Sequence, residues 1–407
     1  MTVRVIRGET VRDVVIVGGG PAGITTALAF ADAAPALASR IVVLEKGKYP
    51  REKYCAGAIG ARGDKILAEL DAVPDVPSAP VAGISFRGAH GEIEARAGAI
   101  GRVVRRIEFD HALAAIAIAR GIDVRDGARV ETVTRDGDDA IVESSAGAFR
   151  ARTVVGADGV GSIVRKAMGL GAGSLRAQVL ELDTEPVTGD PDRTMLHFDA
   201  SDMSLPGYAW DFPTIVDGQE LVCRGVYVLK VPGARGDSIE VDIHALLAAR
   251  LARVGLDIDR YKNKRYAERG YEPAATVADG PLMLVGEAAG IDPVTGEGIA
   301  QAIEAGALAG RFLAQSLKDE TRGDWTEELA SSRLAHDLRI RTRFVRLFYG
   351  ATRPDVERFL LESPDALFVG CQHFAAQPYD WLRLVPVLVN GTARLANVAI
   401  AKMLGGR

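Results

Sequence analysis

Three glycines spaced Gly18-x-Gly20-x-x-Gly23 stand at the junction of two apolar runs. Before them, residues 11–17 (VRDVVIV) are valine-rich, as expected of a parallel strand buried on both faces. After them, residues 24–34 are small and apolar and read as a helix. Residues 41–44 (IVVL) read as a second buried strand that ends at Glu45. The junction is thus a β-α-β unit of about 30 residues. Gly18 permits the tight turn, Gly20 lets a pyrophosphate approach the backbone, and Gly23 allows close helix–strand packing. The helix start, with Pro21 and Ala22, adds orphan N–H donors and a partial positive charge. Glu45, 22 residues after Gly23 and followed by Lys46, suits a carboxylate that accepts ribose hydroxyls and repels a 2′-phosphate. A glycine-rich turn with no ligand is the plain alternative.

The charge balance excludes one broad class. Against 49 Lys and Arg stand 54 Asp and Glu, a net charge of −5, so no nucleic-acid partner is expected. Hydrophobic content of 48% and charged content of 25% are those of a globular chain. A length of 407 residues suggests two or three domains. Only Cys55, Cys223 and Cys371 occur, far apart. Neither a disulfide framework nor a zinc finger is expected, and a cytoplasmic location fits. The six histidines show no metal-site spacing. The N-terminal residues lack the apolar core of a signal peptide, and no run reaches the roughly 18 apolar residues of a membrane span.

Helices are expected at 61–72 and 109–119, with a Pro-rich linker or turn at 75–80 between them. Residues 124–157 read as a meander ending in a buried strand. From 171 to 270 the texture changes to short alternating runs at 178–182, 194–198, 208–212 and 220–229. These predict a largely antiparallel sheet, with a helix at 242–254. A buried strand follows at 282–285, then helices at 293–317, 326–349 and 355–361. The tail, 379–404, is apolar and carries Arg383, Arg394 and Lys402.

Two further glycine-rich segments each follow a buried strand and open a helix. One is Gly156-Ala-Asp158-Gly159; the other is Gly286-Glu287-Ala-Ala-Gly290 with Pro293-Val-Thr-Gly296-Glu297-Gly298. A carboxylate beside such backbone suits a ribose-like polyol. A helix start near Pro293 would aim positive charge at a ring that becomes anionic on reduction. Helix capping is the simpler role for Asp158, and a structural role for Glu287.

These three motifs, in this order and at these distances, resemble flavoproteins of the para-hydroxybenzoate hydroxylase superfamily. The resemblance spans residues 14 to about 309. It implies an α/β fold with a discontinuous Rossmann-like FAD-binding domain (1–80, 103–170, 272–320), an antiparallel-sheet substrate domain (81–102, 171–271) and a helical C-terminal region (321–407). It implies FAD, with NAD(P)H or another reductant as electron donor. Gly18, Gly20, Gly23 and Glu45 would hold the ADP half. Arg106, in an Arg-x-x-Phe-Asp pattern with Phe109 and Asp110, would contact the cofactor. Asp158 would be the acid of the family's Asp-Gly motif, Gly286 would contact the cofactor, Glu287, in place of the usual Asp, would lie on the ribityl side, and Pro293, Gly296, Glu297 and Gly298 would form the flavin-ring loop.

Two segments resemble the geranylgeranyl reductase branch. Pro50-Arg51-x-Lys53-x-Cys55-Ala56-Gly57 keeps that branch's Pro-Arg-x-Lys-x-Cys-Gly-Gly pattern except for Ala56. Tyr208-x-Trp210-x-Phe212-Pro213 matches its Tyr-x-Trp-x-Phe-Pro motif. On a strand the three rings share one face, and an aromatic wall suits an apolar substrate. The resemblance implies reduction of C=C bonds in a prenyl chain, with Gly57 and the aromatic wall on the substrate and Cys55, Tyr208 and Trp210 as catalytic candidates. Core packing is the alternative for the three rings, and inert packing for Cys55. A flavin monooxygenase acting on an aromatic or alkene substrate is the alternative enzyme, and an electron-transfer partner the non-enzyme reading. His197 is read as structural more readily than pocket-facing. Arg339, Arg341, Arg343 and Arg346 read as a solvated helical run that, with the apolar tail, could touch an anionic membrane surface or a diphosphate.

Overall fold

The computed structural model describes residues 10–230, 241–293, 295–350 and 352–404, with side chains excluding Lys230 and those beyond residue 393. Its architecture rests on two eight-stranded sheets. In the first, Thr10–Val17 lies centrally, parallel to Ile41–Leu44 on one side and Gly147–Gly156 on the other. Asp123–Arg125 and Leu282–Leu284 extend this parallel core, and the hairpin Val130–Asp136/Asp139–Ser144 attaches to Gly147–Gly156. Val14, Val15, Ile16 and all of Ile41–Leu44 are essentially buried, because helices cover both faces.

Helix Pro21–Ala33 follows the glycine turn, and helix Ile299–Lys318 packs along it. The approach is close because the second helix presents glycine. A Cβ at Gly306 would overlap Ala22 O, and one at Gly310 would overlap Thr26 O. This places the start of helix Pro21–Ala33 rigidly over the sheet.

The second sheet runs Lys264–Arg269, Arg176–Thr184, Gln219–Lys230, Gly207–Val216, Met195–Asp199, Ser78–Gly88, Gly91–Val104, Ala58–Gly60. It is antiparallel except where Met195–Asp199 lies parallel to Ser78–Gly88. Helix Ile243–Arg253 lies against Gln219–Lys230 and Arg176–Thr184. The C-terminal helices Trp325–Ser331, Arg333–Phe348, Arg353–Glu362, Pro364–Phe374 and Trp381–Leu404 complete the chain. Among the described residues no helix is long and apolar enough to cross a membrane.

Several expectations are corrected. The linker at 75–80 already contains the start of a strand, Ser78–Gly88. Pro80 is tolerated there because pairing to Met195–Asp199 begins only at Gly83. The helix expected from 293 begins at Ile299. The Asp292 carboxylate accepts from Thr295 N and Gly296 N, both at 3.0 Å, and so holds the chain in a turn before the helix. The helix expected at 326–349 is two, divided at Ser332, whose Oγ caps the second by accepting from Ala335 N at 3.1 Å. Residues 1–9, where no signal peptide is expected, lie outside the described residues, as do the side chains of Arg394 and Lys402.

Candidate functional site

A cavity of about 720 Å³ is lined by residues of both sheets. One end is the glycine turn. Gly18 has φ +107°, which only glycine adopts without strain, and a Cβ on Gly23 would overlap Gly18 O. Gly18, Gly20, Pro21 and Ala22 line the cavity, whereas Gly23 serves the packing. Glu45 is 4% exposed and fixes the turn. Its Oε2 accepts from Gly19 N at 2.8 Å and its Oε1 from Gly47 N at 2.8 Å. Oε1 also lies 3.2 Å from Arg51 Nε, so Oε2 is the oxygen left with a lone pair for a further donor. Lys46 lines the same wall.

Arg106 and Arg51 converge on Gly20; both guanidinium groups lie 3.8 Å from where its Cβ would be. Buried Asp110 holds them. It takes Arg106 Nε at 2.7 Å and Nη2 at 2.8 Å, and Arg51 Nη1 at 3.0 Å. Two cations at a glycine turn, beside a helix N-terminus, form an anion cradle. Arg51 and Asp110 carry no site role in the sequence reading; the fold brings them together at the glycine turn.

Asp158 lines the cavity and supports the next helix, Ile163–Ala167, whose N-cap is Ser162. Its Oδ2 accepts from Ile163 N at 2.6 Å, while Oδ1 is buried without a donor among the described residues. An orphaned carboxylate oxygen fits a polyol hydroxyl. Glu287 also faces the cavity, and its added methylene lets Oε1 reach the backbone N–H of Arg269. Burial pushes its carboxyl up to about 7. The loop is only partly as expected. Gly296 and Gly298 line the cavity, but Gly286 and Pro293 do not. Gly286 instead packs against Ala22, where a Cβ would meet Ala22 Cβ at 2.7 Å. Glu297 turns away to pair with Arg341. The expected run of solvated arginines is therefore broken: Arg341 is turned inward, and Arg339 Nη1 donates to Ala330 O at 2.8 Å.

At the other end Cys55 and Gly57 meet the aromatic wall, and Tyr208, Trp210 and Phe212 all line the cavity. The ring centroids of Tyr208 and Trp210 are 6.1 Å apart, and those of Trp210 and Phe212 are 6.0 Å apart. Tyr227 stacks on Tyr208 at 5.1 Å. Trp210 is 3% exposed, and its Nε1 has no acceptor among the described residues. The Tyr208 hydroxyl donates to Thr295 O at 2.7 Å, and burial raises its pKa well above the usual phenol value. Cys55 lies within hydrogen-bonding reach of Arg106. His197 is outside the cavity, bonded through Nδ1 to Ser85 Oγ at 2.9 Å. Sequence reasoning missed Glu268, which lines the cavity from an edge strand whose polar letters, KRYAER, resemble a solvated surface.

The two guanidinium groups at the glycine turn, the Glu45 carboxylate and the orphaned Asp158 oxygen are donors and acceptors that fit FAD, the cofactor of a flavoprotein. The FAD binding domain family matches residues 89–340. Digeranylgeranylglycerophospholipid reductase 1 of Methanococcoides burtonii is 30% identical over 76% of this chain and 76% of its own. The protein of that name from Methanopyrus kandleri is 29% identical over 76% and 82%. A geranylgeranyl bacteriochlorophyll reductase-like structure from Thermoplasma acidophilum shares the fold, with a TM-score of 0.65 and 20% identity over 94% of this chain and 96% of that one. The chain belongs to the geranylgeranyl reductase family of FAD-dependent oxidoreductases.

Proposed function

We propose that this protein reduces isolated C=C bonds in the prenyl chain of an isoprenoid lipid or diphosphate. The observation that carries this reading is the aromatic wall of Tyr208, Trp210 and Phe212, which closes the same cavity as the FAD cradle. When bound and reduced, FAD supplies the hydride. The protein's residues do the rest. Arg51 and Arg106, fixed by Asp110, would bind the pyrophosphate. Glu45 would hold the ribose. Asp158 would accept from a hydroxyl of the linking polyol. Gly296 and Gly298 would let the cofactor ring lie against bare backbone. The aromatic wall and Gly57 would orient the hydrocarbon and exclude water, so that positioning supplies much of the rate. NAD(P)H or another reductant would renew the hydride.

The test is one incubation run two ways. Enzyme reduced by dithionite is mixed with prenyl diphosphates, prenylquinones and phenols, with and without air, and the products are weighed by mass spectrometry. Products heavier by about 2 mass units per bond without oxygen are expected from hydride chemistry. Products heavier by about 16 units, formed only in air, would instead mark a monooxygenase.

A further inference from the structure

Saturating an alkene needs a proton as well as a hydride, and the groups around the aromatic wall can be sorted by whether they have one to give. Tyr208 gives its hydroxyl hydrogen to Thr295 O at 2.7 Å, and Tyr227 gives its own to Asp292 Oδ2 at 2.6 Å. Cys55 lies beside the Arg106 guanidinium, whose N–H groups face its sulfur as donors. Among these groups two carboxyls, Glu268 and Asp292, adjoin each other. They are supplied unequally. Asp292 receives Thr295 N, Gly296 N and Tyr227 Oη. Glu268 Oε2 is buried and receives no donor among the described residues. Adjacent carboxyls disfavour a second negative charge, and the three donors on Asp292 favour its ionised form over that of Glu268. Of the two, only Glu268 lines the cavity.

We propose that Glu268, braced by Asp292, is the acid that delivers the proton to the alkene. The inference rests on the prenyl reductase reading. The hydride and its electron pair form one C–H bond. The alkene π pair forms the second with the proton of Glu268 as the Glu268 O–H bond breaks. Glu268 is left as a carboxylate and is reprotonated from water. Facing it are Tyr266 on its own strand, Asp292 and Glu287 from the loops, Tyr208 and Tyr227 from the sheet, and Cys55. Burial and the neighbouring carboxylates push its pKa well above the usual carboxylate range.

The experiment compares wild-type, Glu268→Gln and Glu268→Asp holoenzymes. Dithionite reduction of the flavin and FAD affinity are expected to be unchanged in both variants. Anaerobic prenyl reduction by the prereduced enzyme is expected to fall about 100-fold or more in Glu268→Gln, the usual contribution of a general acid. Glu268→Asp should recover part of it. The wild-type rate should fall on an alkaline limb that Glu268→Gln lacks. Infrared spectra of the cofactor-free protein should show protonated-carboxyl absorption that loses one component in Glu268→Gln. A Glu268→Gln rate within threefold of wild type, or protonated-carboxyl absorption of equal intensity in both proteins, would overturn the proposal. A wild-type enzyme that reduces no prenyl chain would overturn the functional reading and this reaction with it. The infrared band would still report whether Glu268 holds the proton, so the two failures are distinguishable.

Discussion

Gly306→Ala sets two opposed effects against each other, and the structure decides between them. In the middle of an exposed helix, glycine to alanine stabilises by about 1 kcal/mol. Gly306 lies inside helix Ile299–Lys318, where an added Cβ would overlap Ala22 O and come within 3.1 Å of Thr25 Cβ and Thr26 N. These neighbours cannot yield easily. Ala22 O already accepts the Thr26 hydroxyl at 2.7 Å, and the backbone there is the first turn of the cofactor helix. Overpacking a tight core costs about 1–3 kcal/mol, and overlap with fixed backbone belongs at the upper end. Subtracting the propensity gain leaves a net loss of about 2 kcal/mol. Gly370, in helix Pro364–Phe374, has nothing within 4 Å of its Cβ position, so Gly370→Ala should instead gain about 1 kcal/mol. Urea unfolding of both cofactor-free variants beside wild type checks the pair, and an FAD titration checks the site. Gly306→Ala should also bind FAD more weakly, because the helix start must shift. A Gly306→Ala protein as stable as wild type would refute the claim that this helix contact is rigid.

Three further outcomes are expected. Glu287, with its carboxyl pushed up to about 7 by burial, binds a proton in the folded state that the unfolded chain releases at lower pH. Its contribution to stability is therefore complete below the unfolded carboxyl pKa and is lost as pH rises through about 7. Melting of the cofactor-free protein across pH should show this fall, and Glu287→Gln should flatten it. Arg341→Ala frees Glu297 and leaves that carboxylate, 14% exposed, without its cation. A loss of about 3 kcal/mol in unfolding free energy is expected, the scale for a broken buried pair. Trp210→Ala removes a buried ring from the substrate wall and should cost about 3–5 kcal/mol of stability. Prenyl-chain turnover should drop further than flavin reduction does, as separate measurement of the two half-reactions would show.

The centre of the first sheet was legible because residues 14–17 and 41–44 are apolar runs, stopped by Gly18 and Glu45: Ile41–Leu44 has the expected bounds, and Thr10–Val17 differs by one residue. The aromatic strand was legible for the opposite reason, since alternation survives in Tyr208, Trp210 and Phe212. The hairpin Ser78–Gly88/Gly91–Val104 was not resolved as strands, because small residues (AGA, GAIG) blur the period of two. Long-range contacts hid the rest. Glu297 reads as a loop carboxylate until Arg341 claims it from 44 residues away, and Asp292 delays a helix by holding two backbone N–H groups. Glu268 lies in a segment as polar as any surface strand. Only the sheet it joins, at the edge beside Arg176–Thr184, turns it towards the cavity.

The one parallel junction in the second sheet bears on how the chain is made. Ser78–Gly88 leaves the ribosome more than a hundred residues before its neighbour Met195–Asp199, and until then only Gly91–Val104 covers it. During that interval its other edge offers unpaired N–H and C=O groups beside apolar Ile84 and Phe86, an invitation to intermolecular pairing. A chain cut before residue 195 would keep that edge permanently. Aggregation of such fragments, and slow folding set by this distant pairing, follow from the topology.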